Sequence, residues 1–218
     1  PPSAIETVHP PEALIEHMDW VGVDKTVLLQ GTFYGECNRY AAEAIQSWPD
    51  RFLGAAFLDP WSPGARHMFD KVVGELGFRA VKLELSEADG LSGVHPDLRL
   101  DDPDVAWLWE AMEQHDFLLT LDLGAIDSIS YQTDAIRNII DQHPHLRVVI
   151  AHLCQPNPAA EQDEVLWKAW KEQITLAQHP HVWLDTAALP AYLVEEGYPF
   201  PSARRYIQMA VDLVGADK

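Results

Sequence analysis

The stretch Leu146-Arg-Val-Val-Ile-Ala-His152-Leu-Cys-Gln-Pro156 runs from a short β-branched strand directly into a histidine and a turn. In a parallel α/β barrel, the carboxyl ends of the strands and the loops that follow them form the active face. A histidine at the end of such a strand is therefore a candidate site residue. The alternative is a histidine packed under a loop, and this stretch alone does not separate the two interpretations.

Five other short apolar runs in the chain have the same character, and amphipathic helical stretches separate them. The six predicted strands are Lys25–Gln30, Phe52–Phe57, Ala80–Glu84, Phe117–Asp122, Leu146–Ala151 and His181–Asp185. Runs of five or six residues are typical of strands that are buried on both faces. The alternation predicts successive βα units, a parallel sheet and the α/β class, with residues 1–218 as a single domain.

The composition restricts the classes of partner. The 218 residues are 47% apolar, enough for a buried core, and carry a formal net charge of −19. So acidic a chain is expected to bind neither nucleic acid nor an anionic membrane, which leaves a small-molecule substrate. The two cysteines have no disulfide or zinc-finger spacing, and no apolar run is long enough to span a membrane. A cytoplasmic location is therefore expected.

Polar residues follow the predicted strands at the positions where each strand ends. They are Gln30, Asp59, Lys82, Glu84, Asp122, His152 and Asp185. Charged groups inside a barrel are costly unless they are paired or bound to an ion, so they gather where chemistry occurs. As a set they predict an active site, although Asp59 and Asp185 can each simply cap a turn.

Each of these side chains has more than one possible role. His152 can act as a general base or as a metal ligand. Asp122 can bind the same metal or hold that imidazole in one tautomer. Lys82 can bind a substrate carboxylate or pair with Glu84 on the same strand face. Substrate-binding roles are also predicted for Glu84, for Asp185 and for Tyr34, which lies in the loop after the first predicted strand.

The connection from Ser86 to Pro103 is longer than an ordinary βα loop and leaves from the end of a strand. Loops of this length are usually functional or disordered. It is interpreted either as a loop that covers the substrate or as a mobile surface excursion. His95, within it, is a further histidine of interest.

Several motifs, in their order and spacing, resemble the amidohydrolase-related family, in particular the branch typified by aminocarboxymuconate-semialdehyde decarboxylase. The matching stretches are Gly22–Gln30, Tyr34-Gly with Asn38, Pro49–Phe52, Leu58–Pro60, Glu75–Leu83, Val149–Leu153 and Asp185–Ala188. The resemblance covers nearly the whole chain. It implies a TIM (β/α)8 barrel, usually with one divalent metal such as zinc or manganese. It also implies hydrolysis of lactones or amides, decarboxylation of aromatic or unsaturated acids, or hydration of double bonds.

The resemblance assigns His152 to the family's sixth-strand histidine, a catalytic acid or base near the metal and substrate. Asp122 stands at the fifth-strand position that commonly supplies a histidine ligand. The first-strand His-x-His and the eighth-strand aspartate of the family are absent from these residues. The 218 residues are therefore expected to be a fragment of a longer chain, with the first and last barrel strands outside them.

The expected activity is metal-dependent hydrolysis of a small lactone, amide or carboxylated substrate through metal-activated water. Asp122 and His152 are the predicted metal ligands and catalytic residues. The first alternative is a non-oxidative decarboxylase on the same site. The second is an inactive barrel that serves as a binding or structural subunit. Eight tryptophans favour a homo-oligomer, since aromatic side chains are enriched at subunit interfaces, but core packing explains them nearly as well.

Overall fold

The computed structural model describes residues 10–32 and 35–218. It contains six strands: β1 (Thr26–Leu28), β2 (Phe52–Phe57), β3 (Ala80–Glu84), β4 (Leu118–Asp122), β5 (Arg147–Ile150) and β6 (Val182–Leu184). Each strand pairs in parallel with the next one along the chain. This order is that of successive units of a (β/α)8 barrel, and the strands form a curled half-barrel. All six predicted strands are confirmed, with ends that differ by up to two residues.

Helices occupy every connection between the strands. They are α1 (Pro11–Val21), α2 (Asn38–Ser47), α3 (Ala65–Gly74), α4 (Leu91–Val94), α5 (Ala106–Gln114), α6 (Thr133–Gln142), α7 (Pro158–Glu161), α8 (Glu164–Thr175), α9 (Leu189–Tyr192) and α10 (Pro201–Val214). Among the described residues, no helix combines the length and the apolar character needed to cross a bilayer.

The core lies between the sheet and the helices. Helix α6 shows the pattern, because Ala135, Ile136, Ile139 and Ile140 form one buried stripe while the rest of the helix faces outward. In β3, Val81 and Leu83 are fully buried in this core. Because side chains alternate along a strand, Lys82 and Glu84 then point together to the opposite face.

The long connection from residue 86 to 103 is packed against the core. It contains α4, and Leu91, Leu98 and Leu100 are buried in the main hydrophobic cluster. Its interpretation as a mobile surface excursion is therefore wrong, since three leucines would have to leave the core for it to detach. Its role in covering a substrate stays a prediction.

Candidate active site

Four ionisable side chains meet at the carboxyl ends of β3, β4 and β5. Glu84 and Asp122 are the last residues of their strands and are directly opposite each other in the parallel register. Lys82 lies two residues before Glu84 on the same face, and His152 follows β5. The structure therefore brings together Lys82, Glu84, Asp122 and His152, four members of the set of strand-end residues predicted from the sequence.

Asp122 is the centre of this group. Its Oδ2 atom lies 2.9 Å from His152 Nε2 and 3.2 Å from Lys82 Nζ. The same Lys82 Nζ lies 3.2 Å from Glu84 Oε2. The ion pair of Lys82 with Glu84, one of its two alternatives, is thus present, and a second pair with Asp122 accompanies it. Side-chain exposures of 8–18% for the four residues mean that solvent screens these pairs weakly.

The pKa values of Asp122 and Glu84 shift in opposite directions. Burial favours the neutral form of Asp122, but the hydrogen bonds from His152 and Glu84 and the charges of His152 and Lys82 together outweigh it and hold the pKa of Asp122 well below its usual range. Burial raises the pKa of Glu84, and the neighbouring Asp122 carboxylate raises it further. Two adjacent carboxyl groups with opposite shifts are a common arrangement for acid–base chemistry.

The two basic groups are both stabilised as cations. The hydrogen bond to Asp122 raises the pKa of His152 despite partial burial. Burial opposes the charge of Lys82, but the carboxylates of Asp122 and Glu84 outweigh this effect and raise the Lys82 pKa. The second ring nitrogen of His152, Nδ1, lies 3.2 Å from the carbonyl oxygen of Ala187. With an acceptor at each nitrogen, the imidazole is set up to carry a proton on both.

The backbone around His152 is unusual. Residues 152–155 have φ values of 60°, 49°, 58° and 55°, four successive left-handed residues with no glycine among them. This conformation costs roughly 1–2 kcal/mol per residue for an L-amino acid. The turn is closed by the Gln155 N–H, which donates to the His152 carbonyl at 2.9 Å. A conformation this costly requires external contacts, and it aims the imidazole at Asp122.

Asp185 lies beside this turn. Its Oδ1 atom accepts hydrogen bonds from the backbone N–H groups of His152 at 2.8 Å and Ala187 at 2.9 Å. The same oxygen is 3.9 Å from His152 Nδ1, beyond hydrogen-bond range. Asp185 therefore lies at the site, but this oxygen accepts hydrogen bonds from the backbone. Its predicted role in binding substrate stays a prediction.

Sequence reasoning missed two further residues that reach the site. Gln155 Nε2 donates to Asp122 Oδ1 at 3.4 Å, and the ring of Tyr192 lies 5.9 Å from the ring of His152. Burial and the nearby carboxylates raise the pKa of Tyr192. Gln155 was detectable as a polar residue in the loop after β5. Tyr192 lies in α9, forty residues further on, and no sequence spacing indicates its position.

The other strand-end residues have partners of their own. Gln30 donates to Asn38 at 2.9 Å, and Asp59 contacts His95 Nε2 at 3.0 Å. Neither contact involves the residues around Asp122. The predicted substrate-binding residue Tyr34 lies outside the described residues.

The side chains around Asp122 offer few donor atoms to a metal ion. Within the described residues, no three histidine, cysteine, aspartate or glutamate side chains are placed to hold one. The two predicted ligands, Asp122 and His152, are hydrogen-bonded to each other, and the ammonium group of Lys82 lies against the same Asp122 oxygen. These residues do not fit a divalent ion in this arrangement. The cation beside Asp122 is Lys82.

The amidohydrolase family model matches residues 3–218. With its half-barrel of parallel strands and its ionisable residues at their carboxyl ends, the chain belongs to the amidohydrolase family. No curated protein matches the chain.

Three solved structures illustrate the likeness of the fold. A probable 2-pyrone-4,6-dicarboxylic acid hydrolase from Acinetobacter baumannii with bound citric acid is 20% identical, with a TM-score of 0.70 over 98% of this chain and 71% of that one. An amidohydrolase from Burkholderia multivorans with bound zinc is 17% identical, with a TM-score of 0.68 over 97% and 72%. A 5-carboxyvanillate decarboxylase from Novosphingobium aromaticivorans, with bound manganese and a nitrobenzoic acid, is 17% identical, with a TM-score of 0.63 over 99% and 73%.

Proposed function

We propose that this protein is a hydrolase that acts on a small lactone or amide carrying a carboxylate. The observation that carries the proposal is the 2.9 Å contact between His152 Nε2 and Asp122 Oδ2, with Ala187 as the acceptor at the other ring nitrogen. These contacts favour the protonated form of the imidazole and orient its ring. A protonated imidazole beside a carboxyl group of raised pKa is a pair of acid and base.

The roles follow from the charge states of the side chains. His152 donates a proton to the leaving oxygen or nitrogen of the substrate. Glu84, whose raised pKa makes it a better base than Asp122, accepts the proton of the attacking water when it is ionised. Lys82 binds the substrate carboxylate by exchanging one of its two carboxylate partners for it. Asp122 keeps the imidazole in place throughout.

A decarboxylase is the second candidate, and the raised pKa of His152 favours it. Loss of carbon dioxide leaves a carbanion, and an imidazole that carries a proton on both nitrogens can protonate that carbon. Lys82 would hold the substrate before the bond breaks. The solved relatives named above include both a hydrolase and a decarboxylase, and they share the fold alone at this level of identity.

The test is turnover of a substrate panel by the full-length protein. Lactones bearing a carboxylate are assayed by proton release, amides bearing a carboxylate by release of the amine, and aromatic acids by carbon dioxide release. Proton or amine release that H152N abolishes and H145N retains supports the hydrolase. Carbon dioxide release with the same dependence assigns the decarboxylase instead. A folded protein that is inactive towards both panels would contradict both enzymes and favour the third alternative, a binding or structural subunit.

The dependence on zinc or manganese stays a prediction, as do the cytoplasmic location and the homo-oligomer. Structures of two relatives hold zinc or manganese. Elemental analysis of the full-length protein, followed by zinc and manganese titration, tests the metal. Tight stoichiometric binding that restores activity after chelation supports a metal enzyme, and full activity of a metal-stripped sample contradicts it.

A further inference from the structure

We propose that Asp185 and Trp170 are positioning residues that hold residues 152–155 in the left-handed turn and so aim the imidazole of His152 at Asp122. The catalytic consequence of this inference rests on the proton-transfer role proposed for His152. Its structural part stands independently and is tested without substrate.

The turn needs external support because its own atoms provide little. Four successive non-glycine residues have left-handed φ values, and one hydrogen bond, from Gln155 N–H to the His152 carbonyl, closes the turn. Such residues persist only where the surrounding structure over-determines them, and they cluster at active sites. Four further polar groups of the turn are bound from outside it, two N–H groups by Asp185 just after β6 and two carbonyls by the side chains of Trp170 and Tyr131.

Asp185 supplies the first support. Its side chain accepts the His152 N–H at 2.8 Å, and its backbone carbonyl accepts the Leu153 N–H at 2.6 Å. Its own N–H donates to the Ile150 carbonyl at 3.1 Å, which continues the pairing of β5 with β6. Asp185 therefore binds both the carbonyl of Ile150, the last residue of β5, and the first two N–H groups of the turn.

Trp170 supplies the second support from α8. Its indole Nε1–H donates to the Leu153 carbonyl at 2.9 Å, and the side chain is fully buried. The hydroxyl of Tyr131 donates to the next carbonyl, that of Cys154, at 3.2 Å. These two carbonyls are thus bound by side chains from α8 and from the loop before α6, while two N–H groups are bound by Asp185, just after β6. Rotation of the turn would break both sets together.

The geometry favours positioning over an ionic role for Asp185. The oxygen nearest the imidazole is 3.9 Å from Nδ1 and already accepts two backbone N–H groups. An asparagine side chain offers the same acceptor oxygen without the charge. Positioning therefore predicts that D185N retains the turn and D185A loses it, whereas an ionic role predicts that both variants fail alike.

The experiment compares four variants of the full-length protein: D185N, D185A, W170F and, as a matched control, W109F. Trp109 is also buried and donates its indole N–H to a backbone carbonyl, that of Leu100, at 2.9 Å, but in α5. The readout is the ring ¹⁵N signal pair of His152 at one pH, identified by its loss in H152N. The alkylation rate of Cys154, which lies buried within the turn, is the second readout.

We expect W170F and D185A to shift the His152 ring signals. Both variants should also increase Cys154 alkylation by about ten-fold or more over W109F, because a turn that opens more often exposes the buried thiol. D185N should match the wild type in Cys154 alkylation and should shift the His152 ring signals less than D185A does. In turnover, W170F should lower kcat more than it raises KM.

Failure of D185A to fold leaves the decision to the pair W170F and W109F. Identical His152 signals and Cys154 alkylation in that pair would overturn the assignment of Trp170. Equal effects of D185N and D185A would overturn the assignment of Asp185. If the variants change the His152 signals and Cys154 alkylation as expected but the wild type is inactive, the proposed function is contradicted and the positioning role is not.

Discussion

His152 Nε2 and Asp122 Oδ2 lie 2.9 Å apart although the residues are separated by 30 positions in the chain. The contact exists because β4 and β5 are neighbouring parallel strands that end at the same edge of the sheet. A third side chain, Lys82, reaches the same oxygen from β3. The candidate chemistry thus depends on three consecutive strands, and replacement of single residues can separate their contributions.

The first prediction concerns His152. Replacement by asparagine should lower turnover by about 10²–10⁴-fold, the usual contribution of a positioned acid–base group. The fold should survive, because asparagine tolerates a left-handed backbone better than most residues. Steady-state kinetics and circular dichroism measure the two effects. H145N is the control, since His145 lies just before β5, at the opposite end of that strand. Full activity of H152N would reject the catalytic role.

The second prediction concerns the pH dependence of stability. The pKa of Asp122 is depressed, so its contribution is present above the ordinary aspartate value of 3.8 and is lost as the pH falls through the folded-state pKa. The pKa of His152 is raised, so its contribution is present below the ordinary histidine value of 6.5 and is lost as the pH rises through the folded-state pKa. Both contributions are fully present between these two values.

Replacement of Asp122 by asparagine should therefore cost most stability in that window, about 2–4 kcal/mol, because His152 loses its carboxylate partner and Lys82 loses one of its two. Urea unfolding of the wild type and D122N at intervals from pH 3 to pH 9 measures the difference. A difference that is constant over the whole range would contradict the ionic pairing.

The third prediction concerns Lys82. Its replacement by methionine removes the ammonium group that pairs with both Asp122 and Glu84, and should cost about 3–5 kcal/mol near neutral pH. Acid should restore part of the loss, because protonation of Glu84 removes the repulsion between the two carboxylates. Urea unfolding at pH 7 and pH 5 provides the comparison. K168M is the control, since Lys168 pairs with Glu172 on the exposed surface and should change stability by less than about 0.5 kcal/mol.

The fourth prediction concerns Gly90, which precedes α4. A Cβ atom at this position would lie 2.5 Å from the Ser86 nitrogen and 2.6 Å from the Glu84 carbonyl oxygen. Backbone atoms cannot move aside as a side chain can, so G90A should destabilise the fold by about 1–3 kcal/mol and displace Glu84. Thermal unfolding measures the effect. G64A is the control, because nothing lies within 4 Å of a Cβ at Gly64. Equal melting temperatures for the two variants would contradict the close contact.

The parallel sheet was predictable from sequence because its strands are short β-branched runs separated by amphipathic helices. The grouping of Glu84 with Asp122 also followed, since both end neighbouring strands. The left-handed turn did not follow, because residues 152–155 contain no glycine to indicate positive φ values. Nor did the contact with Tyr192, because it depends on how the connection after β6 folds back over β5. Local pattern determined the strands, and tertiary geometry determined the orientation of the site.

The turn after β5 has a consequence for engineering the protein. Exchange of Cys154 for glycine would relieve the steric penalty at a φ of 58° and raise the conformational freedom of the unfolded chain at the same time. The two effects oppose each other in the melting temperature, so an unchanged melting temperature would not mean an unchanged turn. Variants of these four positions should therefore be judged by the orientation of the His152 imidazole and not by heat tolerance alone.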